Sequence, residues 1–187
     1  MTRYFRLRDD VTVHARWHVA ELLLPSGEEP LLDTGVPLRD PGPLTGTVSR
    51  PGRVLDFSLT SFSVPVATKR LADAIIAVAD GDLQRVPVVI AGQSGMVALN
   101  SLRVVRCLDE QHSEFIKWTK EDHRADLAGQ YRQVTKLALR ASAIPADAHF
   151  FRIEGWTVAL VVSELVKTAM ESVGCLGAQF IELSAAG

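Results

Sequence analysis

Short apolar runs and stretches of apolar-polar alternation, both read as strands, recur along this chain, and hydrophobic positions settle into the 3.6-residue period of a helix only twice. The first helical stretch follows Thr68, a natural N-cap, where Leu71, Ala72, Ile75, Val78 and Ala79 recur on one face and Gly81 supplies a stop. The second runs from the N-cap Ser163 to Gly174, with Glu164 at the positive end of the helix dipole and Leu165, Val166, Ala169, Met170 and Val173 as its core stripe. Two main helices are therefore expected, at about residues 68–80 and 163–173.

Strand signals fill the rest. Tyr4 to Leu7 and Val11 to Trp17, separated by Asp9-Asp10, predict an N-terminal hairpin. Arg85 to Ala91 and Met96 to Leu108 predict a second hairpin turning at Gly92-Gln93-Ser94-Gly95. Pro87, which has no N–H to give a ladder, places the first of that pair at an edge or leaves part of it unpaired. Phe115 to Trp118, the alternation around Leu137 and Leu139, His149 to Ile153, Val158 to Val162 and Gln179 to Leu183 read as further strands. Between Pro25 and Gly52, six prolines and five glycines interleave, which predicts a long irregular loop, either a linker or a recognition surface. No internal repeat is visible. Strands without regular β-α alternation point to an α+β fold of mostly antiparallel sheets in a single domain spanning 1–187.

Composition narrows the function more than it names it. The chain has 187 residues, 47% hydrophobic and 22% charged, with a formal net charge of −2. Such a chain buries roughly 70% of its unfolded surface without metal or disulfide staples, which rules out disordered, collagen-like and coiled-coil classes. Its balanced charge offers no basic field for nucleic acid. The opening MTRYFRLRDD contains no apolar stretch of signal-peptide length, and no apolar run approaches a membrane span. Two lone cysteines, Cys107 and Cys175, lack redox or zinc spacing, and Cys107 reads as a buried, inert thiol. A cytoplasmic protein with no membrane or nucleic-acid partner is expected.

Nothing in the chain asks to be called catalytic. Gly92-Gln93-Ser94-Gly95 lacks the Gly-x-Ser-x-Gly spacing and the following helix of a nucleophile elbow. His14 and His18 would share one face of a helix, but in a strand they stand roughly 13 Å apart and cannot share an ion. Asp9-Asp10, Asp109-Glu110 and Glu121-Asp122 are adjacent acids, which on a strand point to opposite faces. A partner surface is the better candidate. Leu108 to Asp126 carries six acids against three bases, an edge able to steer a basic partner, and Trp17 and Trp118 stand among charged residues as exposed aromatic anchors. The candidate interface is Trp17, Asp109, Glu110, Glu114, Trp118, Glu121 and Asp122.

Several segments in order resemble the myxobacterial immunity-protein family of bacterial polymorphic-toxin systems. They are LDFSLTSFSVPVATKRLA from Leu55, VPVVIAGQSGMVALN from Val86, VVRCLDEQHSE from Val104, the isolated Trp118, GQYR from Gly129, FRIEGW from Phe151 and VVSELVKTAMESVGCLGAQF from Val161. The resemblance is strongest over 54–183. It implies an α+β protein, not an enzyme, that binds a cognate toxin and neutralises it, protecting producer and kin. It carries over no catalytic, metal or cofactor residues. Two other readings stay open: a small metal-dependent hydrolase combining His14 or His18 with an acid, and a structural or regulatory module that dimerises through a strand edge.

Overall fold

The computed structural model describes residues 2–186. Its strands are β1 (Tyr4–Asp9), β2 (His18–Leu23), β3 (Leu44–Arg50), β4 (Phe57–Leu59), β5 (Pro65–Thr68), β6 (Leu83–Ile90), β7 (Gln93–Ser101), β8 (Val104–Val105), β9 (Glu114–Lys117), β10 (Tyr131–Lys136), β11 (Ala138–Arg140), β12 (Phe150–Ile153), β13 (Trp156–Ser163) and β14 (Ala178–Ala186). Two helices, α1 (Lys69–Ile76) and α2 (Glu164–Ser172), complete an α+β fold. Two six-stranded sheets run in the orders β2-β3-β6-β7-β5-β4 and β11-β14-β1-β13-β12-β8, and β9 pairs with β10 as a separate ribbon.

The local chemistry that starts the helices differs between them. Thr68 caps α1 by accepting from the Leu71 amide, and Leu71, Ala72 and Ile75 are buried as their spacing predicts. Ser163 stands at the N-cap position of α2 without capping it: its buried hydroxyl shares a 3.2 Å hydrogen bond with His149 Nδ1. Leu165, expected in the core stripe, faces solvent, and Val166 and Met170 carry the buried face.

Three strand expectations need correcting. Tyr4–Asp9 is a strand, but it pairs with β13 and β14, and the N-terminal hairpin does not form. The chain from Asp10 turns instead, because Asp10 accepts from the Thr12 amide and hydroxyl while Arg16 folds back to donate to the Asp10 carbonyl at 2.7 Å. The Pro/Gly-rich stretch is irregular from Leu24 to Pro43 and at Pro51–Gly52, and β3 forms between them. Gly46 is a core position of that strand: a Cβ there would lie 2.5 Å from Ile90 Cγ1, so glycine serves close sheet packing and hides the alternation. The run from Met96 to Leu108 divides at Leu102, whose amide donates to the Asp82 carbonyl as the chain crosses from one sheet to the other.

The β6–β7 hairpin forms with a tighter turn than expected. Ala91 and Gly92 make a two-residue loop with φ of 49° and 78°, and Gly95, at φ 84°, sits where β7 carries an extra residue opposite Val88–Ile90. Pro87 lies in an interior strand, yet the ladder to β3 begins only at Val88, so its missing N–H costs nothing.

The structure also contains the internal repeat that the sequence conceals. The order β4-β5-β7-β6-β3 in one sheet matches β12-β13-β1-β14-β11 in the other, with the same strand directions. Register matches as well. Phe57 opposes Ala67 where Phe150 opposes Val162, and Met96 opposes Val88 where Tyr4 opposes Leu183. Leu44 meets Val88 and Thr45 meets Val89 in parallel, as Ala138 meets Ser184. Each unit is thus a β-hairpin, a helix and a returning strand, and the second borrows its closing strand, β1, from the start of the chain.

The units meet at matching register positions: the Phe57 amide of the first donates to the Leu176 carbonyl of the second at 3.1 Å, and the Phe150 amide of the second donates to Asp82 Oδ2 of the first at 3.0 Å. One apolar cluster spans this junction, built from Phe57, Leu71, Ile75 and Leu99 of the first unit and Phe5, Phe150, Val166 and Met170 of the second. The outer faces of the two sheets have clusters of their own.

Candidate functional site

Residues from Asp109 to Lys136 leave the second unit as an arm. Its base is fixed by short polar contacts: Asp109 Oδ1 accepts from the Gln111 amide at 3.0 Å, and Ser113 Oγ accepts from the Ala138 amide at 2.9 Å, tying the arm to β11. β9 and β10 then pair antiparallel with two irregularities. Phe115 and Tyr131 meet edge to face at 5.1 Å on the inner side, over a core that includes Val134, while Ile116 points outward. At the tip, Asp122 accepts from the Thr119 amide at 2.8 Å and from Arg132 at 3.2 Å. The Arg132 guanidinium lies 5.0 Å from the Trp118 ring centre, and His123 meets the same ring edge-on.

A cleft of about 1250 Å³ opens at the foot of the arm. Asp33 and Thr34 from the irregular stretch form one wall, Arg106, Glu110, Tyr131 and Arg140 another, and Glu154 and Thr157 the edge of the β12–β13 hairpin. Glu110 Oε1 accepts from both Lys117 Nζ and the Tyr131 hydroxyl at 2.6 Å. These donors, Lys117 first, hold the Glu110 carboxyl below its usual range, while burial and then Glu110 push the Tyr131 hydroxyl up. His112 does the same for Asp109 at 2.6 Å, and the Thr119 amide for Asp122.

The structure brings most of the candidate interface residues onto one element. Asp109 and Glu110 line the cleft, Glu114 is exposed on β9, Trp118 is half-buried at its end, and Glu121 and Asp122 follow in the tip. Trp17 is the exception: the reading of it as an exposed anchor is corrected by its burial at 2% exposure and its Nε1–H bond to Ser58 Oγ at 2.9 Å. The acidic balance is also muted locally, because Asp109, Glu110, Asp122 and Asp126 each have a cationic or histidine partner on or beside the arm.

Asp33, Arg106, Tyr131, Arg140 and Glu154 escape sequence reasoning, because they come from five separate stretches. A signal is nevertheless present: VVRCLDEQHSE, GQYR and FRIEGW each contribute residues to this one cleft.

Other candidate chemistry is dispersed. His14 sits exposed in a turn and His18 opens β2. Among the described residues, no three His, Cys, Asp or Glu side chains gather as a metal ion would require, and no helix is long and apolar enough to cross a membrane. Ser94 lies in strand β7, where no helix follows it.

Both cysteines are free, Cys107 buried and Cys175 partly so, and burial pushes each thiol up to about 12. The native protein at pH 8 is expected to react with a disulfide reagent at neither cysteine within minutes, and at both after denaturation. Because the folded state retains these protons above the ordinary thiol range, stability should fall as pH climbs past about 8.5. Rapid native labelling of Cys107 would show that its site is open.

No curated protein matches the chain. A model of the immunity protein family Imm11 matches residues 38–185, which takes in α1, α2, the arm and almost the entire lining of the cleft. The chain belongs to the immunity protein family Imm11.

Proposed function

We propose that this immunity protein binds a cognate bacterial toxin in the cytoplasm and neutralises it by occupying its surface, with no chemistry of its own. Family membership over residues 38–185 carries the reading. The arm supports it: Glu114 on β9 and Trp118, Glu121 and Asp122 in the connection that follows lie on the separate two-stranded ribbon and its turn, with Asp109 and Glu110 at its foot, a loop-borne surface suited to recognition.

The test has two stages. The tagged protein is used as bait in the producing organism at low and high salt, and a single partner should co-purify in stoichiometric amount. The toxic domain of that partner, expressed in a heterologous bacterium, should arrest growth, and co-expression of this protein should restore it. A stoichiometric partner whose toxicity is untouched by co-expression would overturn the proposal.

A further inference from the structure

The internal repeat separates what the fold needs from what it does not. Strands of matching register account for both units, and the two depart from one another chiefly over Asp10–Pro43 in the first and Leu102–Lys136 in the second. These excursions leave at equivalent points, just after the Asp10 and Leu102 amides, which donate to Gly177 and Asp82 at matching positions of their own units, and end at equivalent points, where Leu44 and Leu137 lead into the parallel ladders.

The two excursions converge. The first crosses to the second unit, held by Gln84, which clamps the Leu38 main chain on both sides at 2.8 and 2.7 Å, and by Asn100, which donates to the Val36 carbonyl at 2.9 Å. There Asp33 accepts from the Thr157 hydroxyl at 2.9 Å and becomes the wall of the cleft that faces the arm. The elements that differ between two otherwise similar units thus enclose one concavity.

Its carboxylates and its guanidinium groups are in different states. Asp33, Asp109 and Glu110 are engaged by Thr157, by His112, and by Lys117 with Tyr131. Glu154, exposed in the same lining, is the one carboxylate there without a side-chain partner among the described residues. Arg106 and Arg140, both exposed, have no carboxylate partner among the described residues, and Arg140 reaches only the Arg106 carbonyl at 3.4 Å. Behind the same wall lies Arg152, wholly buried, with its donors on the Thr157 and Ser63 carbonyls and none on a carboxylate. Planar guanidinium donors left free in a cleft match the two oxygens of a carboxylate.

We infer that this cleft is the toxin-contact surface and that it receives an acidic segment of the toxin, whose carboxylates Arg106 and Arg140 engage. The inference rests on the immunity reading for its partner and on the cleft alone for its chemistry.

Two measurements separate these. Decaglutamate peptide titrated at low salt into the ¹⁵N-labelled protein should shift amide signals around Arg106, Gln111, Tyr131 and Gly155, and decalysine should not. The Arg106→Glu, Arg140→Glu double variant should weaken the decaglutamate response roughly tenfold or more, with the neutral Arg106→Ala, Arg140→Ala pair intermediate and both pairs retaining the native amide spectrum. Against the toxin captured by the unaltered protein, the reversal should cost on the order of a hundredfold in affinity. The inference falls if decaglutamate leaves the cleft signals unmoved, if its effect survives the reversal, if decalysine binds there instead, or if the toxin binds the reversed variant as tightly as before. In the last case the captured toxin still stands as partner. Failure of growth rescue with decaglutamate still seated in the cleft would remove the toxin and leave the acidic-ligand site.

Discussion

Replacing Asp82 by alanine is expected to destabilise the protein by about 3–5 kcal/mol, the sum expected for removing the charged acceptor of two main-chain amides and of a half-buried arginine. Asp82 is 0% exposed, and it stands where the first unit touches the second. Its Oδ1 receives the Arg103 Nε–H, and its Oδ2 accepts from the His149 amide at 2.7 Å and the Phe150 amide at 3.0 Å. Alanine would leave the Phe150 N–H buried without an acceptor and deprive Arg103 of its inner partner. Each unsatisfied group adds a desolvation penalty to the lost bonds. For a protein of this length the drop in Tm should be roughly 10 °C, read by thermal unfolding at fixed salt. A cost below about 1 kcal/mol would place the contact with ordinary surface bridges.

Phe57→Ala and Phe150→Ala should each cost about 3–5 kcal/mol through lost burial and the cavity left behind. Both side chains are 0% exposed, both belong to the cluster shared by the two units, and both occupy the same register position, opposite Ala67 and opposite Val162. The two losses should therefore be similar. Because the cavities open into one common core, urea unfolding of each variant should remain a single transition with its midpoint lowered. Two transitions, with each variant moving only one, would show that the units are stable independently of each other.

Elements with a compact apolar run or a clear alternation are legible in the sequence, β12 and β13 by largely buried runs and β6 by alternation, and so is α1, whose cap and apolar face agree. Where reading fails, a residue serves an unusual role. Gly46 looks like a loop residue and is a core contact. Trp17 looks exposed because Arg16 precedes it, yet Arg16 is itself buried, its charge met by Asp9 at 2.7 Å. A polar neighbour therefore does not mark a surface. The repeat is hidden because matching core positions changed identity, Leu71 against Val166 and Ile75 against Met170, while backbone register stayed the same. The cleft is legible only in pieces, since folding alone brings Asp33 to Thr157. Resemblance reached the immunity protein family that no single motif carried, and the matched span of 38–185 agrees with it.

The borrowed strand also sets a timetable. During translation β1 emerges first, but both strands it pairs with, β13 and β14, emerge last. At about 5–20 residues per second, that interval is on the order of 10–30 s. The strands and helix of the first unit are all synthesised by Ser101, and from then on its side of the shared cluster has no partner to cover it. The nascent chain therefore carries an adhesive apolar face until β14 leaves the ribosome, and the yield of active protein depends on what shields that face on the way.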